Sequence, residues 1–142
     1  MMFHFLSSLH EWDLSIRAWT VAHRHAALNG VMWTLSAAGR GGMIWVAIGA
    51  VIAWRKRRWQ DFAALATALL LATILADHVL KPIVHRTRPF KTTPAVKVIG
   101  GRPHDPSFPS GHAANAFAGA TVLSATAPAG RLLWWIVAAA IA

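Results

Sequence analysis

Apolar runs separated by short polar breaks organise the chain. Residues 5–25 mix Leu6, Leu9, Trp12, Leu14, Ile16 and Trp19 with Glu11, Asp13, Arg17, His23 and Arg24. That mixture predicts a helix lying at a membrane interface, and it equally fits an amphipathic helix packed on the rest of the fold. Residues 26–54 are mostly apolar but are cut by Gly39-Arg40-Gly41-Gly42. The uninterrupted piece from Met43 to Trp54 is shorter than the roughly 20 residues of a straight crossing. A break at the glycines is therefore expected, with interfacial or re-entrant helices over 5–38 and a first crossing over 41–54, helped by its flanks. Arg40 is costly in lipid, which places it at the membrane surface or facing the interior of the bundle.

The next run, Phe62 to Ala76, carries no charge and continues through Asp77 and His78 to Leu80. It predicts a second crossing over 60–81, stopped at Lys81-Pro82 because proline disfavours helical geometry in the residue before it. Residues 85–109 are polar, rich in proline and without helical period. A connection this long is commonly functional or disordered. A helix rich in Ala, Gly, Ser and Thr follows over 110–127, suited to close packing against neighbours. After Pro128-Ala129-Gly130-Arg131, a further apolar run occupies 132–142.

Composition pushes this all-α reading towards a membrane. Of the 142 residues, 56% are hydrophobic and only 13% charged, against about a quarter charged in soluble domains. The net charge of +9 alone would suit nucleic acid or anionic lipid. It is confined between long apolar blocks, however, which argues against a nucleic-acid reader. Several of the eight tryptophans border the charged segments, as interfacial aromatic belts do. With no cysteine, disulfides and thiolate metal sites are excluded. The N-terminus lacks the basic region of a cleaved signal peptide.

Arg55-Lys56-Arg57-Arg58, between Trp54 and Trp59, reads as a cytoplasmic loop; a lipid-headgroup site is its alternative reading. The second crossing then delivers Lys81 and the polar loop to the outer face. That loop holds His85, Arg86, Arg88, Lys91, Lys97, Arg102, His104 and Asp105. Cations on the outer side run against the usual topology rule, and an anionic ligand would account for them.

The candidate chemistry sits on either side of this loop. Ser110 precedes the Ala-rich helix as a natural N-cap, and a helix N-terminus favours phosphate through free N–H groups and its dipole. Gly111 has no side chain to hold a phosphate away from that backbone. His112 is placed to donate a proton to a departing oxygen. Lys81 offers a point charge and Arg88 a bidentate fork. Asp77, four residues before Lys81 on the same helical face, is positioned to orient it.

Lys81-(six residues)-Arg88-Pro89 followed by Pro109-Ser110-Gly111-His112 resembles the first two signature motifs of the type 2 phosphatidic acid phosphatases. These are membrane lipid phosphate phosphatases that share an active site with the vanadium haloperoxidases. The resemblance implies a six-helix membrane bundle, of which this chain would be a part. It further implies phosphate binding by Lys81, Arg88, Ser110 and the Gly111 amide, with Pro89 and Pro109 supporting, and His112 as general acid. Catalysis would need no metal or other cofactor and would pass through a phosphohistidine. Substrates would be lipid phosphomonoesters or diphosphates of the phosphatidate, phosphatidylglycerophosphate or polyprenyl type.

The family's third motif supplies another Arg, the nucleophilic His and its Asp partner. After His112 the only charged residue is Arg131 and no His or Asp occurs. The chain is accordingly expected to be C-terminally truncated and, by itself, inactive. His78, His85 and His104 read as loop or supporting histidines. The alternative function is a non-catalytic membrane protein that binds phosphate or anionic headgroups. A haloperoxidase is disfavoured, because those enzymes resemble soluble proteins.

Overall fold

The computed structural model describes residues 2–92, 96, 98 and 101–142, with side chains from Glu11 onward. Leu6, Leu9 and Lys97, named above, therefore fall outside the described side chains. The described residues form eight α-helices joined by short 3-10 and π-helical stretches, with no strand among them.

Helix α1 (Met2–Ala22) leaves Trp12, Ile16 and Trp19 exposed. Asp13 ties it to the rest of the molecule through Arg86, and also pairs with Arg17 of its own helix at 2.6 Å. Helix α2 (Asn29–Gly39) and α3 (Met43–Lys56) are separated where the sequence predicts. Gly41 and Gly42 take φ of +58° and +75°, values open to glycine and poor for other residues. The chain therefore bends here and presents Arg40 at the bend.

A tight turn through Arg57 leads to α4 (Trp59–Thr73). Asp61 in its first turn pairs with Arg58 at 3.2 Å and opposes the positive end of the helix dipole.

The helix does not stop at Lys81-Pro82. It continues from α4 through a π-helical stretch, Ile74–Leu80, into α5 (Lys81–Val84). It ends where His85 turns left-handed at φ +50°. The wider i→i+5 bonding changes which carbonyls are needed, so a proline that lacks an N–H is accommodated in the first turn of the next segment. The polar connection also holds one helical turn, α6 (Pro89–Thr92), closed by Lys91 N–H donating to Arg88 O at 3.0 Å.

Helix α7 (Gly111–Thr126) is the centre of the bundle and packs on α4 and on α8 (Arg131–Ile141). Its buried side is made of Ala116, Gly119, Ala120, Leu123 and Ser124. Small residues let helices approach closely: a Cβ on Gly119 would overlap the fully buried Trp45 indole of α3. Trp45, Leu65, Leu69, Ala116, Ala120, Leu123, Ala138 and Ile141 form the core. The α7–α8 corner is closed by Trp134, whose Nε1–H donates to Ala127 O at 3.0 Å.

Two helical runs, Ala26–Lys56 and Trp59–Thr92, are long and apolar enough to cross a bilayer. Their outward faces leave Val51, Leu70, Leu71 and Leu75 exposed. A continuous apolar exterior of this kind is the surface a bilayer solvates. The fold is an all-α membrane bundle.

Candidate active site

At the end of the bundle that carries the α5 and α7 termini, a pocket of about 440 Å³ gathers residues from four parts of the chain. Ser36, Arg40 and Gly41 come from α2 and its bend, and Asp77 and Lys81 from the π–α5 segment. Arg88, Asp105 and Ser107 come from the polar loop, and Ser110, Gly111, His112 and Asn115 from the start of α7.

The two loop ends are brought together by Ser107. Its N–H donates to Arg86 O at 2.8 Å, and its hydroxyl reaches Arg86 O and Thr87 O at 3.1 and 3.2 Å. This tie holds the segment carrying Arg88 beside the one entering α7. Ser110 caps α7 as the sequence indicates, its Oγ accepting from Ala113 N–H at 3.2 Å, while Ser110 O accepts from Ala114 N–H. The Gly111 and His112 amides, the first two of the helix, are thereby left for a ligand.

Lys81 is only 8% exposed. Its Nζ lies 2.6 Å from Asp77 Oδ1 and 2.5 Å from Asp105 Oδ2. Arg88 grips the same Asp105: Nε donates to its backbone O and Nη2 to Oδ1, both at 2.8 Å. One carboxylate thus joins the two cations that the motifs single out. Asp105 lies between them, one carboxylate oxygen on each. Lys81 and Arg88 therefore have an internal partner, which the sequence does not reveal.

The missing side chain of Gly111 also leaves room for a carboxylate. A Cβ there would lie 2.9 Å from Asp77 Oδ1 and 3.1 Å from Oδ2. The missing side chain admits the Asp77 carboxylate against the start of α7, so Gly111 bears on the orientation of Lys81.

His112 is tethered to α2. Its Nε2 lies 3.0 Å from Ser36 O and 3.5 Å from Ser36 Oγ. A carbonyl oxygen only accepts, so Nε2 carries a proton, which leaves Nδ1 as the ring nitrogen not engaged by Ser36. Asn115 is 3% exposed. Its Oδ1 accepts from Thr73 Oγ1 at 3.1 Å, which orients the rest of the amide towards the pocket that it lines.

His78 and His85 line a separate hollow behind Lys81, while Pro89 starts α6 and Pro109 lines the main pocket. Ser36, Asp105 and Asn115 are the site residues that sequence reasoning missed. Only the position of Asn115, one turn into α7 from His112, offered any signal.

Burial alone would raise the Asp105 carboxyl, but hydrogen bonds from Lys81 and Arg88 outweigh it and hold the carboxyl below its ordinary value. A carboxyl depressed by folding contributes stability that is fully present above its unfolded pKa of roughly 4 and is lost as pH falls through the folded value. Wild type and Asp105→Asn should thus differ in thermal unfolding at about pH 6, by a gap that narrows as the pH falls below about 4. A gap that does not narrow there would show that the charge of Asp105 is not what holds the loop.

The fold and this pocket define an all-helical membrane bundle with a pocket lined by cations at one end. The chain belongs to the PAP2 superfamily, whose sequence profile matches residues 61–142. It is 32% identical over 109 residues to the undecaprenyl-diphosphatase of Sulfolobus acidocaldarius, an alignment covering 77% of this chain and 51% of that protein. The chain therefore spans about half the length of this curated relative. No solved structure matches it. The matched region contains Asp77, Lys81, Arg88 and Ser110 to His112, but not Ser36 or Arg40.

Proposed function

We propose that this chain forms the phosphate-binding wall and the general acid of a metal-independent phosphatase acting on a lipid phosphomonoester or diphosphate. One observation carries the reading: Lys81, Arg88, the uncapped amides of α7 and His112 line a single pocket. Lys81 and Arg88 neutralise the non-bridging oxygens of the transferring phosphoryl group, and the Gly111 and His112 amides donate to it. The phosphorus–oxygen bond to the leaving group breaks as a histidine nitrogen of a third motif bonds to phosphorus. The departing oxygen keeps the electron pair and takes a proton from Nδ1 of His112, which enters the step as the imidazolium with its Nε2–H held by Ser36 O. Water then cleaves the phosphohistidine to release inorganic phosphate.

Residues 55–58 lie in the cytoplasm in this reading, and the pocket opens on the outer face, where headgroups of the adjacent leaflet reach it. The relative acts on a polyprenyl diphosphate by its name, which supports that substrate class here.

The test is direct. The purified 142-residue chain in detergent micelles should bind orthophosphate saturably and lose it to a polyprenyl diphosphate, with no phosphate released, since no His or Asp follows His112. Failure to bind either anion sinks the reading. Turnover would contradict the placement of the nucleophile in a third motif.

A further inference from the structure

A second hollow of about 480 Å³ adjoins the phosphate pocket and shares Ser36, Arg40, Arg88, Pro103 and His112 with it. Beyond that shared wall lie Arg102 and the aromatic rings of Trp33 and Phe90. The two hollows differ in how their cations are satisfied. Lys81 and Arg88 are both held by Asp105. The Arg40 side chain makes no ion pair or hydrogen bond among those of the described residues, and it lines both hollows. Arg40 is exposed, so its guanidinium is accessible to a ligand, and a planar fork of donors suits phosphate oxygens. The left-handed Gly41 and Gly42 fix the bend that presents it.

His112 adds direction. Its ring lies in the shared wall, tethered through Nε2 to Ser36 O one turn before Arg40. A group whose bridging oxygen is protonated by His112 departs on the Arg40 side, while the transferring phosphoryl stays between Lys81, Arg88 and the start of α7.

We infer that Arg40 is a specificity-determining residue that binds the leaving phosphate of a diphosphate substrate. The neighbouring hollow is then the subsite for that second phosphate, and the Trp33–Phe90 rim receives the first part of its apolar chain. This rests on the proposed phosphate pocket and narrows its substrate from any lipid phosphate to a diphosphate.

Binding of inorganic pyrophosphate and of orthophosphate to the 142-residue chain in micelles, followed by calorimetry, separates the possibilities. Wild type should prefer pyrophosphate. Arg40→Gln should weaken pyrophosphate at least about tenfold and leave orthophosphate within about threefold, while Arg40→Lys should recover part of the loss. Helix content by circular dichroism checks that both variants fold; if Arg40→Gln does not, the Arg40→Lys comparison decides between a fork of donors and bare charge. Equal loss of both anions would make Arg40 a general electrostatic contributor and overturn the inference. Unchanged binding of both would overturn it too. Failure of wild type to bind either anion would instead remove the phosphate pocket, and this inference with it.

Discussion

Lys81→Met is expected to reduce orthophosphate affinity by about two orders of magnitude, the largest loss of any single binding residue. The scale follows from the roughly 1.5–3 kcal/mol of a hydrogen bond to a charged group, plus the charge that the substitution removes. Lys81 is the most buried cation of the site and the only one in contact with both carboxylates. Its loss leaves Asp77 and Asp105 facing the pocket with no cation between them, so an entering phosphate meets repulsion as well as a missing donor. Their side chains are 32% and 45% exposed, and solvent therefore absorbs much of the folding cost. The double variant Lys81→Met/Asp77→Asn removes the repulsion between Asp77 and Asp105 and should recover stability without recovering binding. Calorimetric titration with orthophosphate makes the measurement. Full affinity in Lys81→Met would place the phosphate elsewhere.

His112→Ala should behave in the opposite way. Loss of a general acid costs typically 10²–10⁴-fold in rate, while the His112 amide and both cations remain. Orthophosphate affinity is thus expected to stay within about threefold. Turnover, measured in a polypeptide that also carries a third-motif histidine, should fall by that larger factor. A leaving group of low pKa, such as a nitrophenyl phosphate, needs little protonation and should be spared most of the loss. Equal loss with both leaving groups would assign His112 to binding or nucleophilic attack instead.

Much of the framework was readable because local chemistry sets it. Two adjacent glycines after Arg40 break a helix whatever surrounds them, and Ser110 ahead of an Ala-rich run is a cap in isolation. Lys81, Arg88 and His112 were named by spacing, and they do line one pocket. The rest depended on tertiary structure. Residues 85–109 have no period, so nothing local marks Asp105 as the acidic residue that turns back onto Lys81. Helix α2 is apolar on nearly every side, which hides the fact that Ser36 and, just past its end, Arg40 line a pocket with His112. At Lys81-Pro82 a sound local rule lost to context: the π-helical stretch carried the backbone past the proline and set Asp77 beside both Lys81 and Gly111.

The clasp formed by Asp105 has a consequence for how the pocket responds to its medium. Two carboxylates and two cations make the cluster of Asp77, Lys81, Arg88 and Asp105 formally neutral. In the proposed function an arriving phosphate would trade places with a carboxylate on a tether, and few mobile counterions would be released from the cation pair. Its affinity should therefore vary only shallowly with ionic strength, where an open pair of cations would show the steep decline of screened attraction. The loop thus acts as a captive counterion, making occupancy of the site a matter of exchange within the protein rather than of the salt outside it.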